Sequence, residues 1–219
     1  IPAGASSSIP GETTPTSTSK FGSLMVAGDV NQDGYADLIA SAISYFPGGQ
    51  AYIFHGTGSG ISAAGAGRAA RRISGEAITD FNLGGGLAVG NFNGDAYSDL
   101  AISGPASLNV TDKGRVYVIY GGATGIPATS LTSANAIGTG ENIQDSFGAG
   151  LNAGDLNGDG VSDLVVGAYG FSATNNTGKA YIYYGNNPSG IPANMTVNPG
   201  SPGTTITGTN SGAFFTTNM

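Results

Sequence analysis

The chain of 219 residues has no cysteine, no tryptophan and a single histidine. Without cysteine there is no disulfide framework and no thiolate metal site, and one histidine cannot assemble an ordinary zinc ligand set. Without a cysteine or a second histidine, a nucleophilic triad would need unusual chemistry. His55 itself ends an apolar, aromatic run, where it reads as a packing or rim residue. Cations are also few. Lys and Arg total 7 against 14 Asp and Glu, for a net charge of −7. Arg68, Arg71 and Arg72 cluster, but they read as the solvated side of an edge strand, so no nucleic-acid footprint is expected. No apolar run approaches the roughly 18 residues that a membrane-spanning helix needs. No stretch has helical periodicity, and no glycine-rich loop leads into a helix as a phosphate site requires. These absences predict a protein that is not an enzyme.

What is abundant is glycine, 39 residues, together with a short acidic pattern that occurs three times. Loop one contains Asp29, Asn31, Asp33, Gly34, Tyr35 and Asp37. Loop two contains Asn91, Asn93, Asp95, Ala96, Tyr97 and Asp99. Loop three contains Asp155, Asn157, Asp159, Gly160, Val161 and Asp163. The loops begin 62 and 64 residues apart. Oxygen-bearing side chains at positions 1, 3, 5 and 9, with glycine at 6, suit a hard cation that takes six to eight oxygen ligands. Position 7 would add a backbone carbonyl from Tyr35, Tyr97 or Val161. Asp and Asn also cap simple turns. However, 8 of the 14 acidic residues occupy ligand positions, and unpaired carboxylates so close together call for a counter-cation. Calcium is therefore expected, with magnesium disfavoured by its stricter octahedral shell. Loop two has Asn91 in place of Asp and Ala96 in place of Gly, so it is expected to bind weakly or stay empty while loops one and three bind strongly. Three calcium ions would offset six of the seven net negative charges.

The repeat is wider than the loops. Phe21-Gly22, Leu83-Gly84 and Phe147-Gly148 stand eight residues before each loop, and aromatic runs follow at Tyr52–His55, Tyr117–Tyr120 and Tyr181–Tyr184. An Ile-Pro-Ala or Ile-Ser-Ala marker begins at Ile1, Ile61, Ile126 and Ile191. Short runs rich in Val, Ile and Tyr, punctuated by glycine, predict four strands per unit. In the first unit these are Ser23–Gly28, Ala36–Ser41, Gln50–His55 and Arg71–Ser74. The later equivalents are Gly85–Gly90, Ser98–Ser103, Arg115–Tyr120 and Asn135–Ile137, then Ala149–Gly154, Ser162–Gly167, Lys179–Tyr184 and Thr204–Thr207. The second strand of each unit is apolar on both faces, as in stacked blades of a propeller.

This combination resembles the FG-GAP repeat of integrin α-subunit β-propellers. Phe21-Gly22 and Phe147-Gly148 carry the Phe-Gly signature, with Gly104-Pro105 and Gly167-Ala168 as degenerate Gly-Ala-Pro positions. Unit two departs at Leu83 and Ala96. The resemblance implies an all-β fold of four-stranded antiparallel blades, with calcium in the hairpin between the first two strands. It also implies extracellular recognition or adhesion.

Residues 1–219 are expected to form one partial propeller domain, with units near 1–60, 61–125, 126–190 and a truncated 191–219. That makes about three full blades with partial units at both ends. Ser6–Ile9 and Gly212–Met219 are expected as strands of those end units. Three blades cannot close a ring. The remainder is expected from a longer chain, which a start at Ile1 rather than Met also fits, or from self-association. Loops that depend on plentiful calcium predict an extracellular or cell-surface location, and the resemblance implies a protein or glycan ligand there. A lectin-like propeller and a structural subunit of a surface assembly are the alternatives.

Overall fold

The computed structural model describes residues 8–11, 13–14, 17–45, 47–61, 67, 69–75, 82–105, 113–127, 130–171, 177–193, 195 and 203–209. Two short strands, β1 (Thr13–Thr14) and β2 (Ser17–Thr18), pair with each other. Three four-stranded sheets follow. Blade one contains β3 (Phe21–Gly28), β4 (Asp37–Ala42), β5 (Gln50–Phe54) and β6 (Arg71–Ser74). Blade two contains β7 (Gly86–Gly90), β8 (Asp99–Gly104), β9 (Arg115–Ile119) and β10 (Ala136–Thr139). Blade three contains β11 (Phe147–Gly154), β12 (Asp163–Ala168), β13 (Lys179–Tyr183) and β14 (Thr204–Thr207). Each sheet is an antiparallel meander with its strands in chain order. Among the described residues one short 3₁₀ turn, Leu131–Ser133, lies between β9 and β10, and no helix is long and apolar enough to cross a membrane.

The expected strands sit where the pattern places them, with shifts at their ends: each second strand begins one residue later, at Asp37, Asp99 and Asp163, and each third strand ends one residue earlier, at Phe54, Ile119 and Tyr183. β3 and β11 start earlier, at Phe21 and Phe147 rather than Ser23 and Ala149. Phe21 pairs with Ala42 and Met25 with Ala40, so three residues of β3 face Ser41 alone. A bulge of this kind keeps the phenylalanine on the ladder while the strand bends. Phe21 then meets Tyr52 edge-on, with ring centroids 5.3 Å apart, and Phe147 meets Tyr181 at the same 5.3 Å. Each fourth strand lies beyond the isoleucine marker, so the blades are offset from the sequence period. Residues 8 and 9 belong to no strand. The rest of the Ser6–Ile9 strand expectation, and all of Gly212–Met219, lie outside the described residues.

The three first strands, β3, β7 and β11, stand side by side. They line an axial cavity of about 410 Å³ bordered by Leu24, Met25, Val89, Leu151 and Asn152. Glycine sets how closely the blades approach. Gly84, of Leu83-Gly84, and Gly148, of Phe147-Gly148, have φ of +89° and +90°, and a Cβ on them would lie 2.4 and 2.7 Å from the Cβ of Ser41 and Ser103 in the preceding blade. Ser103 Oγ also donates to the Gly148 carbonyl at 2.6 Å, tying blade two to blade three.

Successive residues of the second strands point to opposite faces, and in blades one and two both faces are covered. Ile39, Ile53 and Ile73 of blade one pack with Leu100, Ile102, Tyr117 and Ile119 of blade two. Ala101, Val116 and Val118 on the other face of blade two pack with Leu164, Val166, Tyr181 and Tyr183 of blade three. Tyr183 donates to the Met195 carbonyl at 3.1 Å and Tyr181 to Glu141 Oε1 at 3.1 Å, so neither buried hydroxyl is left unmade. Burial, and then the Glu141 charge, push both phenols above their usual range. Glu141 also pairs with Lys179, whose ammonium lies 4.5 Å from the Phe171 ring centroid and 4.8 Å from that of Tyr181.

Glycine also ends the third strand of every blade for lack of space. A Cβ on Gly56 would lie 2.3 Å from the Ala36 carbonyl oxygen, whereas one on Gly122 meets nothing within 4 Å. Gly56→Ala is therefore expected to cost about 1–3 kcal/mol, read by urea unfolding, while Gly122→Ala leaves the midpoint unchanged.

Candidate metal centres

The three acidic loops join the first and second strands of their blades, and all three fold around their own side chains. In loop one, Asp29 Oδ1 accepts from the Asp33 N–H at 3.2 Å and Oδ2 from the Gly34 N–H at 2.8 Å. Asn31 Oδ1 accepts from the Asp33 N–H at 3.2 Å, and its amide nitrogen donates to Asp33 Oδ2 at 3.0 Å. Asp33 Oδ1 accepts from the Tyr35 N–H at 2.9 Å. Loop three repeats this network. Asp155 accepts from Gly158, Asp159 and Gly160 at 2.7, 3.1 and 2.9 Å, and Asp159 from Val161 at 2.8 Å. Asn157 again accepts from and donates to residue 5, both at 2.9 Å. Backbone N–H groups, that of Gly160 foremost, hold the exposed Asp155 carboxyl below the usual carboxylate range. Each loop thus gathers the side chains of positions 1, 3 and 5 at an exposed hairpin.

Position 9 behaves differently. Asp37, Asp99 and Asp163 are fully buried. Asp37 Oδ2 accepts from the Val30 N–H at 3.0 Å and Oδ1 from the Gly56 N–H at 2.8 Å. Asp99 does the same with Phe92 at 2.7 Å and Gly121 at 2.9 Å, and Asp163 with Leu156 at 2.8 Å and Gly185 at 3.0 Å. In every blade one carboxylate therefore ties the acidic loop to the end of the third strand. Burial, opposed by these N–H donors, raises Asp99 to about 6. A carboxyl whose folded value exceeds its unfolded one stabilises most below the unfolded value, about 4, and that contribution is lost as the pH rises through about 6.

Among the described residues no three Asp, Glu, His or Cys side chains gather closely enough to hold a metal by themselves. What each loop offers a cation is two ionised or amide oxygens at positions 1 and 5, the amide of position 3 and backbone carbonyls. This is an oxygen-only donor set that suits calcium. Each position-9 oxygen accepts one N–H and, as a carboxylate oxygen, retains a second acceptor site. Cation binding also requires Asn31 and Asn157 to present oxygen where their amide nitrogens now meet Asp33 and Asp159.

Loop two departs from this arrangement. All three loops are left-handed at position 4, with φ of +58° at Gln32, +72° at Gly94 and +79° at Gly158, but only loops one and three are left-handed again at position 6, with φ of +87° at Gly34 and Gly160. Asn91 Oδ1 accepts from the Gly94 N–H at 2.8 Å, and its amide nitrogen donates to the Asp95 carbonyl. Asn187, from the turn after the third strand of the next blade, donates to the Gly94 carbonyl at 3.2 Å. Amide N–H groups thus occupy two loop carbonyls.

The family model for the FG-GAP repeat matches residues 21–54, 83–119 and 147–183, which contain the first three strands of each blade. The chain belongs to the FG-GAP repeat family. Human phosphatidylinositol-glycan-specific phospholipase D is 34% identical over 158 residues, covering 68% of this chain and 18% of that protein. Rat integrin alpha-7 is 31% identical over 159 residues, 69% of this chain and 13% of its own length. Integrin alpha-4 of Xenopus laevis is 28% identical over 156 residues. The chain thus spans less than a fifth of these relatives, and the likeness to the phospholipase lies in the repeats.

Two features of the FG-GAP units were not legible as functional in the sequence. One is the position-9 bridge. Its signal was the invariant Asp-Leu pair (37–38, 99–100, 163–164) combined with a glycine at 56, 121 and 185, since a carboxylate needs an N–H to bind and a glycine lets the backbone approach. The other is Asn187, which only chain folding brings to loop two. The bridge predicts that Asp163→Asn, by placing an amide NH₂ against a backbone donor, costs about 1–3 kcal/mol even in chelator. Asp159→Asn measured in the same chelator by urea unfolding is expected to match the parent chain.

Proposed function

We propose that this FG-GAP chain is a non-catalytic extracellular recognition module, a partial propeller spanning 1–219, braced by calcium in loops one and three. The observation that supports it best is the twice-repeated exposed network of positions 1, 3 and 5 beside a buried position 9. Calcium would be held by Asp29, Asn31, Asp33, Asp37 and the Tyr35 carbonyl in loop one. In loop three the set is Asp155, Asn157, Asp159, Asp163 and the Val161 carbonyl. The ion would supply the positive charge that these hairpins lack and stabilise the folded state by mass action. Loop two, with Asn91, Asn93, Asp95, Tyr97 and Asp99, is the weak or empty copy, because its amides and the Asn187 contact satisfy it without a cation.

The likeness to integrin α-subunits favours a protein ligand outside the cell. A sugar-stacking role draws no support from Tyr52, Tyr117 and Tyr181, because all three are buried in the core. The ligand would instead meet the loops at the blade ends, where chain length and composition vary between units.

Calcium chelation is expected to lower the melting temperature, and Asp33→Ala or Asp159→Ala to reproduce most of that shift. Asp95→Ala should leave it nearly unchanged. A melting curve indifferent to excess chelator would overturn the calcium assignment. The paired change Asn91→Asp with Ala96→Gly restores the loop-one pattern to loop two and is expected to raise bound calcium by about one ion per chain, counted by titration calorimetry.

A further inference from the structure

The sequence contains two Asn-Gly pairs, Asn93-Gly94 and Asn157-Gly158, and both stand at positions 3 and 4 of an acidic loop. Loop one has Asn31-Gln32 at the same place. The backbone conformation does not distinguish them, since position 4 is left-handed in all three loops. Loop one is followed by a blade, and Gln32 is exposed there, so the fold accepts a side chain at this position. Glycine at 158 is thus not a requirement of the turn. Gly94 does have a packing reason, because a Cβ on it would lie 2.6 Å from the Asn187 Cβ. What glycine changes in both loops is chemical: its nitrogen is left unshielded next to the asparagine side chain before it.

Asparagine followed by glycine can cyclise, because the glycine nitrogen reaches the side-chain carbonyl carbon when no Cβ crowds the closing five-membered ring. The loops hold the groups concerned. Asn157 Oδ1 accepts from the Asp159 N–H at 2.9 Å, a donor placed to stabilise the oxyanion that attack would form. The Asn157 amide nitrogen donates to Asp159 Oδ2 at 2.9 Å, and the Gly158 N–H donates to Asp155 Oδ1 at 2.7 Å. Loop two repeats the arrangement. Asn93 Oδ1 accepts from the Asp95 N–H at 3.0 Å, its nitrogen donates to Asp95 Oδ2 at 2.9 Å, and the Gly94 N–H donates to Asn91 Oδ1 at 2.8 Å. Each side-chain amide is therefore fixed in one orientation, with its carbonyl polarised, on a hairpin that water reaches.

We propose that Asn157 and Asn93 are sites of spontaneous deamidation in the folded chain and that Asn31 is spared. The glycine nitrogen bonds to the side-chain Cγ while solvent hydroxide takes its proton. The bond from Cγ to the amide nitrogen breaks, and that nitrogen leaves as ammonia with a proton from water. Water then opens the resulting succinimide at either of its carbonyls, giving aspartate or isoaspartate, so water is consumed and ammonia released. Both products alter the loop. Aspartate at 157 puts an oxygen where an N–H donor faced Asp159 Oδ2, which sets two carboxylates against each other. Isoaspartate adds a methylene to the main chain and breaks the alternate spacing of positions 1, 3 and 5. The reaction uses the chain and water alone and does not depend on a bound cation.

The test is incubation of the full 219-residue chain at mildly alkaline pH in excess chelator, which makes the outcome independent of calcium, followed by peptide mapping with mass spectrometry. A synthetic peptide spanning loop three is aged beside it. Conversion is expected at Asn157 and Asn93 on the timescale of the peptide, with isoaspartate among the products, and none at Asn31. Gly158→Gln gives loop three the residue that loop one carries, and a Cβ on Gly158 meets nothing within 4 Å. It should slow conversion at Asn157 by about tenfold or more and leave the melting temperature unchanged. Gln32→Gly should make Asn31 convert. Asn157 or Asn93 left intact when the peptide has converted, equal conversion at Asn31 in the parent chain, or a Gly158→Gln chain that converts as fast as the parent would each overturn the proposal.

Discussion

The buried aspartate at the head of each second strand is the interaction on which the blades depend. Asp37, Asp99 and Asp163 each accept one N–H from the acidic loop and one from the end of the third strand. A buried carboxylate is costly unless its oxygens are satisfied, and two backbone donors in fixed positions satisfy them. The same contact closes the loop into a compact hairpin and holds the third strand in register with the second. Its geometry leaves no room for a side chain on Gly56, Gly121 or Gly185, which explains three glycines of a glycine-rich chain in a single stroke.

Glycine and small residues do related work between the blades. Gly84 and Gly148 let the first strands of adjacent blades close on Ser41 and Ser103. Packing that close compensates for modest side chains such as Ala101, Ala88 and Ala136 in the second interface. The blades are therefore held by backbone proximity and apolar faces more than by charge. Within the described core the Glu141–Lys179 pair, flanked by Phe171 and Tyr181, is a local brace of blade three. The negative charge left over is concentrated in the loops at the blade ends, where it faces water and is available to a cation.

Burial and exposure are thus separated along each strand pair. Position 9 is inward and binds backbone N–H groups, while positions 1, 3 and 5 are outward and are pre-shaped by backbone N–H donors. A loop can lose acidic side chains without losing its fold, as loop two illustrates. Asn91, Ala96 and the Asn187 contact replace the acidic arrangement, while Asp99 keeps its two bonds to Phe92 and Gly121.

The all-β fold, the number of blades and nearly every strand followed from the sequence, because Val, Ile and Tyr runs bounded by glycine report burial directly and the threefold repeat averaged out local ambiguity. The positions of the acidic loops followed in the same way. The bulges that begin β3 and β11 at Phe21 and Phe147 did not, since pairing three residues against Ser41 is a property of two strands rather than one. The division of labour within each loop was also out of reach. Spacing made Asp37 look like Asp29 and Asp33, and only the arrival of Gly56 from the third strand shows that its oxygens bind backbone. The difference between a buried Phe92 and an exposed Leu156 is likewise invisible in the repeat, because both occupy the same motif position. Phe92 is covered by the turn after the third strand of blade three, and that contact is made by packing across the molecule.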